Sequence, residues 1–464
     1  MELFDLGLTQ SVAAIRDGDI TSEQLVGSLL SRSRDQQGLN AFVSLDPERI
    51  LNAAREADRV KAAGHNLGPL HGVPIALKDN IDAVGYTTTA GTPVLREHRP
   101  RVDAPVVEAL LYAGAIVFGK VGMHELALGI TSNNKAFGAV RNPYDMDRVP
   151  GGSSGGSGAA VAARIVPASI GTDTGGSVRV PASFCGVTGY RPTAGRWPGG
   201  GIVPISGTRD TPGPIARSVE DLYLLDAVVT GDRSLPPYRS LRDVRLGVPR
   251  GHFWQDLDYE TGRLCEETLA KLERAGVTFI EVDLHRVAEL DASAGFTVAL
   301  HEMPGAIDSY LASQGLNFSF DRVARQASSP DVAAVVKAVA DKSGAVPKAA
   351  YEAAIRGDRP KLVQAYQDCF SRNGLDAVVF PTTPLPAPLI GQDNFVVLNG
   401  RALPTFSTVV RNTGPGSLAG IPGVSLPVGF TKDGLPVGLA LDSVSGSDRL
   451  LLAVAAAIER AIET

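Results

Sequence analysis

Gly151-Gly152-Ser153-Ser154-Gly155-Gly156-Ser157 and, beyond a short apolar run, Gly171-Thr172-Asp173-Thr174-Gly175-Gly176-Ser177 are the most informative stretches of this chain. Each glycine-rich segment presents serine, and Ala159 to Val166 between them reads as helix-like. Glycine lets a backbone take positive φ and approach a ligand closely. Successive N–H groups in such a loop can converge on one anionic point. A serine at the rim of such a nest has the parts for acyl transfer, a nucleophile and an oxyanion site. A single Gly/Ser loop is ordinary linker composition. Two of them around an Ala- and Val-rich segment are not.

A nucleophilic serine needs a base. Histidine is the usual partner, and the chain has seven. The stronger candidate lies upstream, in Gly72-Val73-Pro74-Ile75-Ala76-Leu77-Lys78-Asp79-Asn80, where Lys78 ends an apolar, strand-like run. Desolvation disfavours the charged form of an amine, so a lysine in apolar surroundings loses its proton more easily. Taken alone, such a lysine also fits a side chain snorkelling at a strand end.

Together these stretches resemble the amidase signature family. That family carries a lysine in a Lys-Asp-Asn-type motif, a Gly-Gly-Ser-Ser-Gly-Gly loop, and a Gly-Gly-Ser loop followed by arginine and proline, here Arg179 and Pro181. The spacing from Ser153 to Ser177 is the one expected of it, and the resemblance covers essentially the whole chain, 1–464. Met123-His124-Glu125, Gly129-Ile130-Thr131-Ser132-Asn133-Asn134, Ala139-Val140-Arg141-Asn142-Pro143 and Thr208-Arg209-Asp210-Thr211-Pro212-Gly213 are most similar to the indoleacetamide and mandelamide hydrolase branch. The resemblance implies an α/β fold: one large domain with a central mixed sheet covered by helices on both sides.

It also implies a Ser–cis-Ser–Lys triad. Ser177 is the expected nucleophile and forms an acyl ester. Ser153, after a Gly152–Ser153 bond whose isomer the sequence leaves open, relays the proton, and neutral Lys78 is the ultimate base. The N–H groups of Thr174, Gly175, Gly176 and Ser177 are expected to supply the oxyanion hole. Ala127, in Ala127-Leu128-Gly129, maps onto a segment that approaches substrate through its backbone. Asp173 and Arg179 flank the nucleophile with opposite charge, as a loop brace or as a surface ion pair. The implied reaction is cofactor-free and metal-free hydrolysis of a primary arylacetamide, indole-3-acetamide first and mandelamide or phenylacetamide second, to the acid and ammonia.

Composition narrows the remaining classes. Hydrophobic residues make up 44% and charged residues 20%, ordinary for a globular protein. A net charge of −6 lacks the basic footprint of a nucleic-acid binder. The sparse Cys185, Cys265 and Cys369 suit a reducing compartment, and no histidine spacing matches a zinc motif. No run is long and apolar enough for a membrane span, and Met1-Glu2-Leu3-Phe4-Asp5 lacks the apolar core of a signal peptide. The expectation is a cytoplasmic enzyme acting on a small-molecule amide, without nucleic acid or membrane, a homodimer being left open.

In chain order, residues 9–63 read as helices, with capping-box spacing at Thr21-Ser22-Glu23-Gln24. Asp103 to Ala113 reads as a helix capped by Asp103, and Ala115 to Gly119 as a buried strand. Thr230 to Leu241, with Pro236-Pro237, is the best linker candidate. Val244–Val248, Tyr259–Ala275 and Val277–Val282 then form a βαβ pattern. Residues 285–372 read as a helix-rich cover, and Arg449 to Ile462 as an amphipathic closing helix.

Three other readings compete. Gly151-x-Ser153-x-Gly155 matches the nucleophile elbow of α/β-hydrolases, which needs a strand directly before the serine. A Gly-rich-loop nucleotide-binding protein is of another class, but Gly114 to Lys120 is followed by Val121 where a phosphate loop needs Ser or Thr. An amidase subunit of a tRNA-dependent amidotransferase would share the triad and require partner subunits.

Overall fold

Pro74–Lys78 is a central strand, paired in parallel with Ile116–Val121 on one side and Ala168–Asp173 on the other. All five of its residues are buried, as an unbroken apolar run demands of a strand covered on both faces. The computed structural model describes residues 2–232, 234, 237 and 239–463. Among these, eleven strands form one mixed sheet. In spatial order they are Phe42–Ser44, Ile116–Val121, Pro74–Lys78, Ala168–Asp173, Thr211–Ala216, Thr188–Arg191, Gly423–Phe430, Pro436–Asp442, Ala377–Pro381, Arg245–Val248 and Thr278–Glu281. Arg245–Val248 and Thr278–Glu281 run parallel and are joined by the helix Tyr259–Arg274, the expected βαβ unit.

Strand alternation covers the sheet on both sides. Ala377 and Val379 pack into the core with Cys265, Leu269 and Leu451, from Tyr259–Arg274 and Asp448–Glu463. Val378 and Phe380 point the other way and meet Val298, Leu362 and Tyr366, from His285–Ser313 and Arg359–Asn373. Those two helices belong to the helix-rich stretch, completed by Phe320–Gln326, Pro330–Ala340 and Lys348–Ala353.

Several local expectations need correction. The helix between the serine loops is Gly155–Ala162, not 159–166. The second half of the first glycine-rich segment is therefore helix, and its glycines serve packing: a Cβ on Gly156 would sit 2.5 Å from the Gly122 backbone. The helix expected to open at Asp103 is Pro105–Tyr112, with Ala104 as its N-cap. Asp103 Oδ1 instead accepts from the Val84 N–H at 2.7 Å. Phe42–Ser44, within the stretch read as helices, is a strand antiparallel to Ile116–Val121, and three residues are too few to show an alternation. Of the linker candidate, Arg233, Leu235, Pro236 and Tyr238 lie outside the described residues, and Thr230 closes the helix Val219–Thr230.

Candidate active site

Lys78 and the second serine loop leave the sheet at the same edge, because Pro74–Lys78 and Ala168–Asp173 are adjacent and parallel. That edge, beyond the carboxyl ends of parallel strands, is where open α/β sheets place their ligands. Lys78 Nζ is buried and lies 2.8 Å from Ser153 Oγ, and it donates to Thr172 Oγ1 at 2.7 Å. Burial lowers its pKa to about 7, although Asp173 and Asp210 pull the other way. The chain thus holds an amine that exchanges its proton near neutrality, hydrogen-bonded to a buried serine.

The Gly152–Ser153 peptide is cis. Ser153 is anchored through its carbonyl, which accepts from the His124 N–H at 3.1 Å. No strand precedes it, as an elbow would require; Pro150 to Ser154 is irregular. Gly119 and Lys120, the end of the phosphate-loop candidate, lie inside the strand Ile116–Val121. The two serine segments are laced together where the Ser154 N–H donates to the Ser177 carbonyl at 3.3 Å. The Ser177 side chain is 6% exposed, and its hydroxyl has no hydrogen-bond partner among the described residues.

The shape of the Thr174–Ser177 loop comes from charge buried beneath it. Asp173 accepts from Arg179 Nε at 3.1 Å, from Arg191 at 3.1 Å, and from the Gly176 N–H at 2.8 Å. Arg179 also reaches Ser417 Oγ at 2.7 Å and Asp442 at 3.4 Å. The pair is therefore a sealed brace, not a surface ion pair, and Arg179 is no cation for a substrate pocket. Gly176 is conformationally required: its φ is +134°, and a Cβ there would lie 2.2 Å from Thr413 Oγ1. Of the four loop N–H groups expected at an oxyanion, that of Gly176 is committed to Asp173. Those of Thr174, Gly175 and Ser177 have no partner among the described residues.

Ala127 lies in a short turn that packs against Met123 and Ile205. Leu126 and Ala127 both take positive φ, 52° and 57°, rare for side-chain-bearing residues. The turn is held by Leu126 N–H on the Ala90 carbonyl at 2.8 Å and by buried Glu125, whose carboxylate accepts from the Ser329 N–H at 2.7 Å. A cleft lined by Asn80, Ala127, Thr172, Thr174, Ile205 and Asp210 adjoins these groups. Sequence reasoning gave Thr172, Asn80 and Asp210 no role here. Asn80 donates to Thr172 Oγ1 at 3.3 Å, and Asp210 accepts from Thr174 Oγ1 at 2.6 Å and the Ile205 N–H at 2.8 Å. Thr172 and Asn80 stand within quoted motifs, but only the parallel pairing of their strands shows that they meet.

A buried lysine on one serine, beside a second serine in a loop with N–H groups that have no partner among the described residues, has the parts that acyl transfer needs. The chain belongs to the Amidase family, whose model matches residues 24–452, and it is an amide-hydrolysing enzyme. Among its relatives, the indoleacetamide hydrolase of Rhizobium radiobacter is 44% identical over 455 residues, covering 98% of this chain and 97% of that protein. The mandelamide hydrolase of Pseudomonas putida is 43% identical over 472 residues, covering 98% of this chain and 91% of that one. A crystal structure of an amidase superposes with a TM-score of 0.87 at 32% identity, covering 98% of this chain and 99% of that one.

Proposed function

We propose that this amidase hydrolyses a primary arylacetamide, with indole-3-acetamide the preferred substrate, to the carboxylic acid and ammonia. Ser177 Oγ attacks the amide carbonyl, and its proton passes through Ser153 to neutral Lys78. Negative charge on the tetrahedral oxygen is received by the N–H groups of Thr174, Gly175 and Ser177. The proton returns through Ser153 to the departing nitrogen, which leaves as ammonia. Water then cleaves the acyl-Ser177 ester by the same relay in reverse order.

The observation that carries this chemistry is the 2.8 Å contact of buried Lys78 with Ser153, combined with an amine pKa near 7. The acyl class rests on the indoleacetamide hydrolase relatives and on an apolar wall of Met123, Ala127 and Ile205. Mandelamide is the second reading, favoured by the Pseudomonas putida relative.

Ammonia release from a panel of amides tests the assignment. The expected order of kcat/KM is indole-3-acetamide, then phenylacetamide, then acetamide, with about 10–200-fold per lost apolar contact. Mandelamide exceeding phenylacetamide by roughly 100-fold or more selects the second reading, since that is the scale of a satisfied polar contact. Glutamine or acetamide outrunning every aryl amide removes the substrate class.

A further inference from the structure

Phe296, in the middle of the helix His285–Ser313, is 52% exposed. Its ring centroid lies 5.3 Å from that of Phe406, with the planes at 55°. Phe406 is half-buried and rests on a cluster that includes Ile130, Val180 and Val410. Solitary exposed aromatics are common and need no explanation. What sets this pair apart is the backbone that carries it.

The carbonyl of Gly295, next to Phe296, accepts from Arg209 Nη1 at 2.5 Å, and Arg209 Nε donates to the Thr174 carbonyl at 3.0 Å. The helix of Phe406, Thr405–Val409, is followed by a turn to Thr413, whose hydroxyl donates to the Gly175 carbonyl at 2.7 Å. Both rings are thus tethered, from separate segments, to consecutive residues of the nucleophile loop. Beneath Phe406, the Ile130 backbone fills the space beside Gly152, where a Cβ would lie 2.7 Å away. Val180 Cγ2 stands 3.2 Å from the Cβ position of Gly176. On the Phe296 side, Ala299 is one helical turn on and packs against the Met123, Ala127 and Ile205 wall. The ring pair thus links two apolar clusters that border the serine loops, one through Ile130 and Val180 beside Gly152 and Gly176, the other through Ala299 on the Met123, Ala127 and Ile205 wall. Arg209 and Arg179, the cations that hold this loop, are committed to carbonyls and to a carboxylate.

We propose that Phe296 and Phe406 form the subsite that receives the aryl group of the substrate, a flat, uncharged aromatic ring held against the remaining open faces of the two phenyls. This rests on the arylacetamide reading above and assigns its specificity to two residues. Offset or edge-to-face contact with two rings favours a bicyclic aryl group over a single ring, and either over a methyl group.

The test is the ratio of kcat/KM for indole-3-acetamide to kcat/KM for acetamide, measured with thermal melting for the wild type, Phe296→Ala, Phe406→Ala and Phe296→Trp. Each alanine variant is expected to lower the ratio by about 10–200-fold, mainly by raising KM for the aryl amide. Phe296→Trp is expected to keep it. A wild type that prefers the aryl amide, with alanine variants that keep that preference, overturns the subsite and leaves the arylacetamide reading standing. Equal losses on both amides also overturn it, because the rings then only hold the loop. A wild type without aryl preference removes both. Should Phe406→Ala not fold, Phe296→Ala decides the question, since half of that ring already faces solvent.

Discussion

Arg179 Nε donates to Asp173 Oδ2 at 3.1 Å, and both side chains are fully buried beneath the loop that carries Ser177. Burial alone would raise the Asp173 pKa; the Arg179 and Arg191 guanidiniums override it and hold the carboxyl well below the usual carboxylate range. The ionised carboxylate then fixes the Gly176 N–H and, through Arg179, the Thr413 carbonyl at 3.0 Å. A charge pair that never meets solvent thereby sets the backbone of the Thr174–Ser177 loop.

Removing Arg179 leaves buried Asp173 with Arg191 alone and takes from buried Asp442 the guanidinium 3.4 Å away. Arg179→Ala is expected to destabilise the fold by about 3–5 kcal/mol and to abolish turnover. Arg179→Lys is not a rescue, because a single ammonium cannot serve Asp173, Asp442, Ser417 and the Thr413 carbonyl together. Denaturant unfolding measures the loss. An Arg179→Lys variant as stable and active as wild type contradicts the brace.

Ser177→Ala is expected to lower kcat by roughly 10⁶-fold, on the scale of other serine-hydrolase nucleophile deletions. Its melting temperature is expected to stay at the wild-type value, since the hydroxyl has no internal partner to lose. A fluorophosphonate is expected to add its mass at Ser177. Mass added at Ser153, with Ser177 unmodified, would reverse the roles of the two serines.

Lys78 links activity and stability to pH with the same sign. The amine must be neutral to accept a proton, so kcat/KM is expected to rise with pH through about 7. Lys78→Arg, which cannot deprotonate, is expected to be as inactive as Lys78→Ala. The folded-state pKa lies below the ordinary lysine value of 10.5, so between these pH values the unfolded chain binds the additional proton. Stability from this group therefore increases with pH across that window. Any stability advantage of Lys78→Met over wild type is expected to shrink as pH rises from about 7 toward 10, followed by melting at several pH values. A Lys78→Arg variant with near-normal turnover assigns Lys78 a structural role only.

The sequence made the chemistry-bearing loops legible because glycine, serine and a lone strand-end lysine are unusual in that order and spacing. The buried strand Pro74–Lys78 and the βαβ unit around Tyr259–Arg274 were legible through hydrophobic runs and their stops. What stayed hidden depends on long-range pairing. Nothing local in Asp173-x-x-x-x-x-Arg179 says that both side chains are sealed from water. That depends on Ser417 and Asp442, which lie far along the chain. The glycines from 155 to 158 looked like loop because their helix is stabilised by close approach to Gly122 and Pro181, not by propensity. Asp103 matched a capping pattern, but the Val84 N–H competed for its carboxylate.

Thr172, like Asn80 and Asp210, joins the candidate site only through the fold. Its hydroxyl accepts from Lys78 Nζ at 2.7 Å and from Asn80 Nδ2 at 3.3 Å, so it aims the amine, and an acceptor on an ammonium is expected to favour the protonated form. Thr172→Val keeps the shape and removes that acceptor. Two consequences follow with opposite appearance. The lysine pKa falls, so the acidic limb of the pH–activity profile moves to lower pH. The plateau kcat also falls, by about 10–100-fold, because the amine is no longer held toward Ser153 and a hydrogen bond to a charged group is worth about 1.5–3 kcal/mol. Thr172→Ser, which restores the hydroxyl, is expected to recover both the plateau and the limb. A purely structural role would lower kcat without moving the limb. An unshifted limb in Thr172→Val, measured on a variant that melts with the wild type, removes Thr172 from the tuning of Lys78.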